Sequence, residues 1–153
     1  MAERQLRLGA ILAGVGTSQN GWRHPDVPGD ASIDIAWFQE SARRAEEAKF
    51  DLVFIVDSPY ITPDTAPHFL NRLEPLTMLS AVAAATSKIG LVATLTTSYN
   101  EPFNVARAFA SLDLISRGRR TPQAAHAGRQ QRAESERRVE TAYARWREPH
   151  TAT

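Results

Sequence analysis

Three short apolar runs, each trailed by a stretch of helical periodicity, constrain this chain more than any other feature. They are Leu6–Val15, Leu52–Val56 and Ile89–Thr94. The second and third are almost continuously apolar rather than alternating, the pattern of strands covered on both faces of a parallel sheet. Strands are therefore predicted over 7–14, 51–57 and 89–96, and helices over 33–48, 75–87 and 101–116. In the first helix Ser32 is placed to cap the N-terminus, Asp34 suits the positive dipole end, and Ile35, Phe38, Ala42 and Ala45 form one stripe. The second opens at Glu74-Pro75 and packs through Leu76, Leu79, Val82, Ala83 and Thr86. The third opens at Asn100-Glu101-Pro102 and runs through Phe103, Ala106, Phe109, Ala110 and Leu114 toward Gly118. This β-α-β-α-β-α order requires an α/β fold with parallel strands 1-2-3 and right-handed crossovers. An open doubly wound sheet and a piece of a closed (β/α)8 barrel both satisfy it.

The chain has 153 residues, room for one domain with a core but not for two. There is no cysteine, which excludes disulfides, thiolate nucleophiles and zinc–thiolate sites and fits a reducing cytoplasm. The N-terminal residues lack the apolar core of a signal peptide, and no apolar stretch reaches the ~20 residues of a membrane helix. The net charge of +1 gives no argument for nucleic acid or membrane as a partner. It hides an asymmetry: from Arg117 onward nine arginines face four glutamates, while the preceding residues lean acidic. Where a fourth apolar strand is due, the chain reads Arg119-Arg120-Thr121-Pro122-Gln123. The expected organisation is a sheet domain over 1–118 and an irregular or helical Arg-rich tail over 119–153, with Val139, Tyr143 and Trp146 as its thin apolar stripe.

Several residues at strand ends are candidates for chemistry. Gly9, Gly14 and Gly16 suggest a dinucleotide fingerprint, but position 19 is Gln and a loop follows instead of a helix. The glycines read better as tight backbone at a strand end. Asp57 closes the second strand, where parallel sheets hold ligands, and a loop hydrogen bond is the competing reading. A receiver-type phosphoacceptor is excluded because no acid follows the first strand. Thr94, Thr96, Thr97 and Ser98 offer hydroxyls at the end of the third. His24 and His68 lack metal-ligand spacing, and Trp22, Trp37 and Trp146 read as packing residues. The interleaved glutamates of the tail favour a solvated segment over a nucleic-acid surface.

A series of strings in fixed order carries a resemblance. They include Trp22-Arg23-His24-Pro25, Val56-Asp57-Ser58, Glu74-Pro75-Leu76-Thr77, Lys88-Ile89-Gly90-Leu91-Val92-Ala93-Thr94, Ser98-Tyr99-Asn100-Glu101-Pro102-Phe103 and Ser116-Arg117-Gly118-Arg119. Over residues 5–119 the chain resembles the bacterial luciferase-like flavin-dependent monooxygenases, in the branch of nitrilotriacetate monooxygenase component A and dibenzothiophene-sulfone monooxygenase. The resemblance implies the first three βα units of a (β/α)8 TIM barrel, and a two-component enzyme that oxygenates a small organic substrate with dioxygen. It also implies reduced FMN as cofactor, delivered by a separate NAD(P)H:flavin reductase, with Asp57 and Thr94 matching the family's first two FMN contacts. No catalytic residue is assigned and no metal is expected.

The family's fourth strand, roughly Gly-Trp-Asn-x-Val-Thr-Ser, is absent, and the segment His126 to Ala133 only faintly echoes a later flavin-contacting motif. A truncated form is thus expected, from a deletion or a frame change. The alternatives are a fragment that binds no flavin and a basic-tailed interaction module. Three βα units cannot close, so self-association through open sheet edges is expected. Leu8, Ile11, Val53, Ile55, Leu91 and Ala93 are expected on the inner face, where losing the opposite wall forfeits on the order of 5–10 kcal/mol.

Overall fold

The computed structural model describes residues 6–16, 18, 20–57, 72–96, 100–125 and 141. Strand β1 is Gly9–Ile11; a 3-10 turn, Gly21–Arg23, precedes helix α1, Ile35–Glu47. There follow β2 (Leu52–Ile55), α2 (Pro75–Ala85), β3 (Gly90–Thr96), α3 (Pro102–Ser116) and β4 (Arg120–Ala125). All four strands are parallel and lie in the order β1-β2-β3-β4. The predicted order of the first three strands and their three helices is thus as expected, with β1 much shorter than the apolar run that announces it. His68, Thr97, Ser98, Val139, Tyr143, Trp146 and the segment from His126 to Ala133 lie outside the described residues.

Local chemistry explains the helix boundaries. Asp34, not Ser32, caps α1: its carboxylate accepts the Ala36 N–H at 2.9 Å, and Ser32 is buried two residues earlier. Glu74 caps α2 more fully, accepting the N–H groups of Leu76 and Thr77 at 2.9 and 2.7 Å ahead of Pro75. Helix α3 ends where Arg117 turns left-handed (φ 56°) and Gly118 follows at φ 82°. Its packing face is Val105, Ala106, Phe109, Ala110 and Leu112, whereas Phe103 and Leu114 are exposed.

The register decides which strand residues meet the helices. Ala10 pairs with Val53 and Val53 with Leu91, so these share a face, and Leu12, Ile55 and Ala93 follow on the same side. That face joins Phe38, Ala42, Met78, Leu79, Val82, Phe109 and Leu112 in one core, with all three helices packed on it. The expected inner face is corrected accordingly. Val53, Ile55, Leu91 and Ala93 point into the helix layer and are buried, and the opposite face carries Ile11, Phe54 and Val92. Continuous apolar runs mark strands covered on both sides, but they do not reveal which parity meets the helices.

The sheet also runs into the segment expected to be irregular. Residues Arg120–Ala125 add a fourth strand along β3 despite their polar sequence. The reason is anchoring rather than side-chain hydrophobicity. The Arg119 guanidinium donates to Ser116 O (2.7 Å), Ala83 O (2.9 Å), Thr86 O (3.1 Å), Thr86 Oγ1 (3.0 Å) and Ile89 O (3.3 Å). It thereby satisfies carbonyls at the C-terminus of α2 and fixes where the next strand begins. The Arg119 carbonyl accepts the Leu91 N–H at 2.9 Å, so Thr121 and Gln123 turn their amides toward β3. Pro122 falls on the outer side, where a missing N–H costs no bond within the sheet.

Beside Arg119, the Glu46 carboxylate at the end of α1 accepts the N–H groups of Ser87, Lys88 and Ile89 at 3.0, 3.0 and 3.1 Å, and the Ser87 hydroxyl at 2.8 Å. Partial burial works against its ionisation, but the Lys88, Ile89 and Ser87 donors outweigh this and hold its pKa at about 2, against 4.5 normally. A depressed folded-state pKa means stability that is present above pH 4.5 and lost as the pH falls toward 2. Glu46→Ala should destabilise the fold by ~2 kcal/mol at neutral pH. The gap from wild type in urea unfolding should close as the pH approaches 2. A gap that stays constant across that range would contradict the role given to the ionised carboxylate.

Among the described residues β1 pairs with β2 alone. Leu8 O and Leu12 N–H bond to β2, which leaves Gly9 and Ile11 with outward-facing amides, and Ile11 is 54% exposed. Sedimentation at rising concentration should show self-association, and Ile11→Lys should reduce it by placing a charge on that edge. A monomer at all concentrations would refute the expectation.

Candidate functional site

The carboxyl ends of the parallel strands gather the candidate residues. Ile55, the last residue of β2, pairs with Ala93. Thr94 is therefore one step beyond that pair on β3, and Asp57 two steps beyond it on the chain leaving β2. Both residues lie at the same rim on adjacent strands, as their sequence positions predict. Thr94 belongs to the face opposite the helices and is 5% exposed. Among the described residues its hydroxyl has no side-chain hydrogen-bond partner, which is uncommon for a buried polar group.

Asp57 already has a protein partner. Its Oδ1 lies 3.1 Å from Nε of Arg72, three residues before α2, with both side chains mostly buried. Sequence reasoning missed Arg72. The signal was a single cation at the end of the long β2–α2 connection, immediately before a helix start. Thr96 is the last residue of β3.

Next to the pair is a cavity of about 280 Å³ at the ends of β1 and β2. Ile11, Leu12, Ile55 and Val56 form its sheet side, Phe38 and Met78 its helix side, and Ser32 and Arg72 supply side-chain polarity. Asp57 and Thr94 are not among its lining residues, so Arg72 stands between the cavity and the rim carboxylate. Gly14 is among the lining residues. A Cβ there would collide with the backbone of Ala31 and Ser32, and Gly16 sits at φ 84°. The chain then enters the turn Gly21–Arg23 and reaches α1 only at Ile35, so the glycines serve close backbone passage. His24 accepts the Asp26 N–H at 3.2 Å in a local turn, and Arg23 lies 4.8 Å over the Trp22 ring. No group of three metal-ligating side chains occurs among the described residues.

Parallel strands with helices on one face and polar groups at the carboxyl rim define part of a (β/α)8 barrel. Residues 14–151 match the luciferase-like monooxygenases, and the chain belongs to that family. The match extends past residue 119 into the Arg-rich segment. The chain is 51% identical to N-acetyl-S-(2-succino)cysteine monooxygenase of Bacillus subtilis (strain 168), over 76% of its own length and 26% of that protein. It is 39% identical to nitrilotriacetate monooxygenase component A of Aminobacter aminovorans, over 77% of its length and 29% of that protein. Among solved structures it resembles EDTA monooxygenase from Chelativorans sp. BNC1, with a TM-score of 0.79 at 25% identity, covering 92% of this chain and 36% of that one. The chain thus spans less than a third of the length of the curated relatives it matches.

Gly14→Ala should move the β1–α1 loop off Ala31 and Ser32 and cost ~1–3 kcal/mol. Thermal unfolding would measure the loss, and an unchanged midpoint would show that this close approach is not required.

Proposed function

We propose that this chain forms the N-terminal part of a two-component, FMN-dependent monooxygenase, in which Asp57 and Thr94 contact the flavin. The observation that carries this reading is the buried Thr94 hydroxyl without a side-chain partner, at the rim where this fold family holds its ligand. A flavin offers carbonyl and ring nitrogen acceptors as well as N–H and O–H donors, so Thr94 fits as a donor to the former and Asp57, paired with Arg72, as an acceptor from the latter. When bound, reduced FMN supplies the reaction with dioxygen. The protein's part is to orient the flavin and the small organic substrate, and to exclude water through the apolar walls from β1, α1 and α2. The reductant arrives as reduced FMN from a separate NAD(P)H:flavin reductase in a reducing cytoplasm, which accords with the chain's lack of a dinucleotide fingerprint. The relatives named for nitrilotriacetate and dibenzothiophene sulfone support the reaction type.

A barrel site draws contacts from several strands, and the described residues supply four of eight. The isolated chain should therefore bind reduced FMN more weakly than micromolar. Anaerobic NMR titration should perturb residues 55–57 and 92–96, and Thr94→Val should weaken the response further. Perturbations elsewhere, or a response that Thr94→Val leaves unchanged, would remove the basis for this reading.

A further inference from the structure

We infer that this chain forms a two-fold dimer through β1, in which the strand pairs antiparallel with its own copy about Ala10. Among the described residues β1 pairs with β2 alone, and its bonds to β2 leave the N–H and C=O groups of Gly9 and Ile11 facing outward. Sheet edges commonly refuse a neighbour by carrying a charged side chain or a proline. This edge carries neither, because residues 8–16 hold no charge and no proline. Arg7, just ahead of it, is paired with Asp51 at 2.9 Å. The side chains on offer are apolar and open to solvent, with Leu8 44% and Ile11 54% exposed. A second copy therefore brings no like charge into the seam.

A second copy fits because the strand is complementary to itself. Turned antiparallel about Ala10, Gly9 of each copy lies opposite Ile11 of the other, and each such pair exchanges both of its backbone hydrogen bonds. Every bond of the seam then falls within Gly9–Ile11, the full extent of the strand. Each pair also sets a large side chain against a glycine, so Ile11 covers the backbone of the opposing Gly9 and leaves water without a clash. A slip of one residue loses this match. On the helix side Leu8 comes opposite Leu12 of the second copy. Parallel pairing of β1 with β4 of a second copy would instead bring Pro122, which has no N–H, into the seam. The antiparallel interface is isologous and closes at two copies. It does not depend on the flavin reading above.

The chain has no cysteine, so a single introduced thiol reports the seam. Across a two-fold at Ala10 the Cα atoms of the two Ala10 residues lie about 4.5 Å apart, within reach of a disulfide. Leu8, set opposite Leu12, lies about 14 Å from Leu8 of the second copy and out of reach. Under mild oxidation the 153-residue Ala10→Cys chain should form a disulfide-linked dimer about tenfold faster than Leu8→Cys, or better. In the unmodified chain, sedimentation should show assembly that stops at two copies. Amide exchange at Gly9 and Ile11 should slow about tenfold from dilute to concentrated protein, while the outward amide of Ala124 on β4 keeps its rate. A monomer at every concentration, growth beyond two copies, or exchange that slows at Ala124 as well would overturn the inference, without any variant needing to fold. Equal crosslinking of the two cysteine variants would overturn the register.

Discussion

The Glu46 carboxylate and the Arg119 guanidinium hold the base of the sheet, and the site at the opposite end depends on them. Glu46 satisfies three consecutive amides just before β3, and Arg119 satisfies carbonyls of Ala83 and Thr86 at the end of α2 and of Ile89 ahead of β3. Ile89 uses both backbone groups in this network, one on each partner. The α2–β3 turn is thereby fixed to α1 on one side and to the α3–β4 turn on the other. The phase of β3 follows, and with it the level at which Thr94 reaches the rim beside the chain leaving β2. Fixed charges and backbone dipoles set the register; apolar burial then stabilises it.

Much of this fold is legible in the sequence because its apolar pattern is strong where the sheet is covered. The runs at 52–56 and 89–94 announce central strands, and Glu74-Pro75 and Glu101-Pro102 announce helix starts. Two features are hidden for physical reasons. The facing of β2 and β3 cannot be read from residues apolar at both parities, and Val53 and Leu91, expected on the inner face, meet the helices instead. The strand at Arg120–Ala125 carries no apolar signal, because backbone pairing with β3 and the anchoring of Arg119 create it. The rim residues Asp57 and Thr94 are legible because a strand end in a parallel sheet is a position, not a composition. Arg72 is not, because its role depends on the cavity that it lines.

The site divides into two neighbouring environments. Thr94 and Asp57 stand at the rim, and the cavity lies to the side, with Arg72 shared between them. The rim offers a hydroxyl and a carboxylate, whereas the cavity walls are largely apolar among the described residues.

Pro122 gives the two edges of this sheet unequal chemistry. Along the outer side of β4 the donors belong to Arg120 and Ala124, and the position between them offers only a carbonyl. A strand arriving there finds a ladder with a rung missing at its centre, while the outward amides of Gly9 and Ile11 on β1 are intact. The sheet is therefore polarised as a template: it accepts a new neighbour more readily beside its first strand than beside its last.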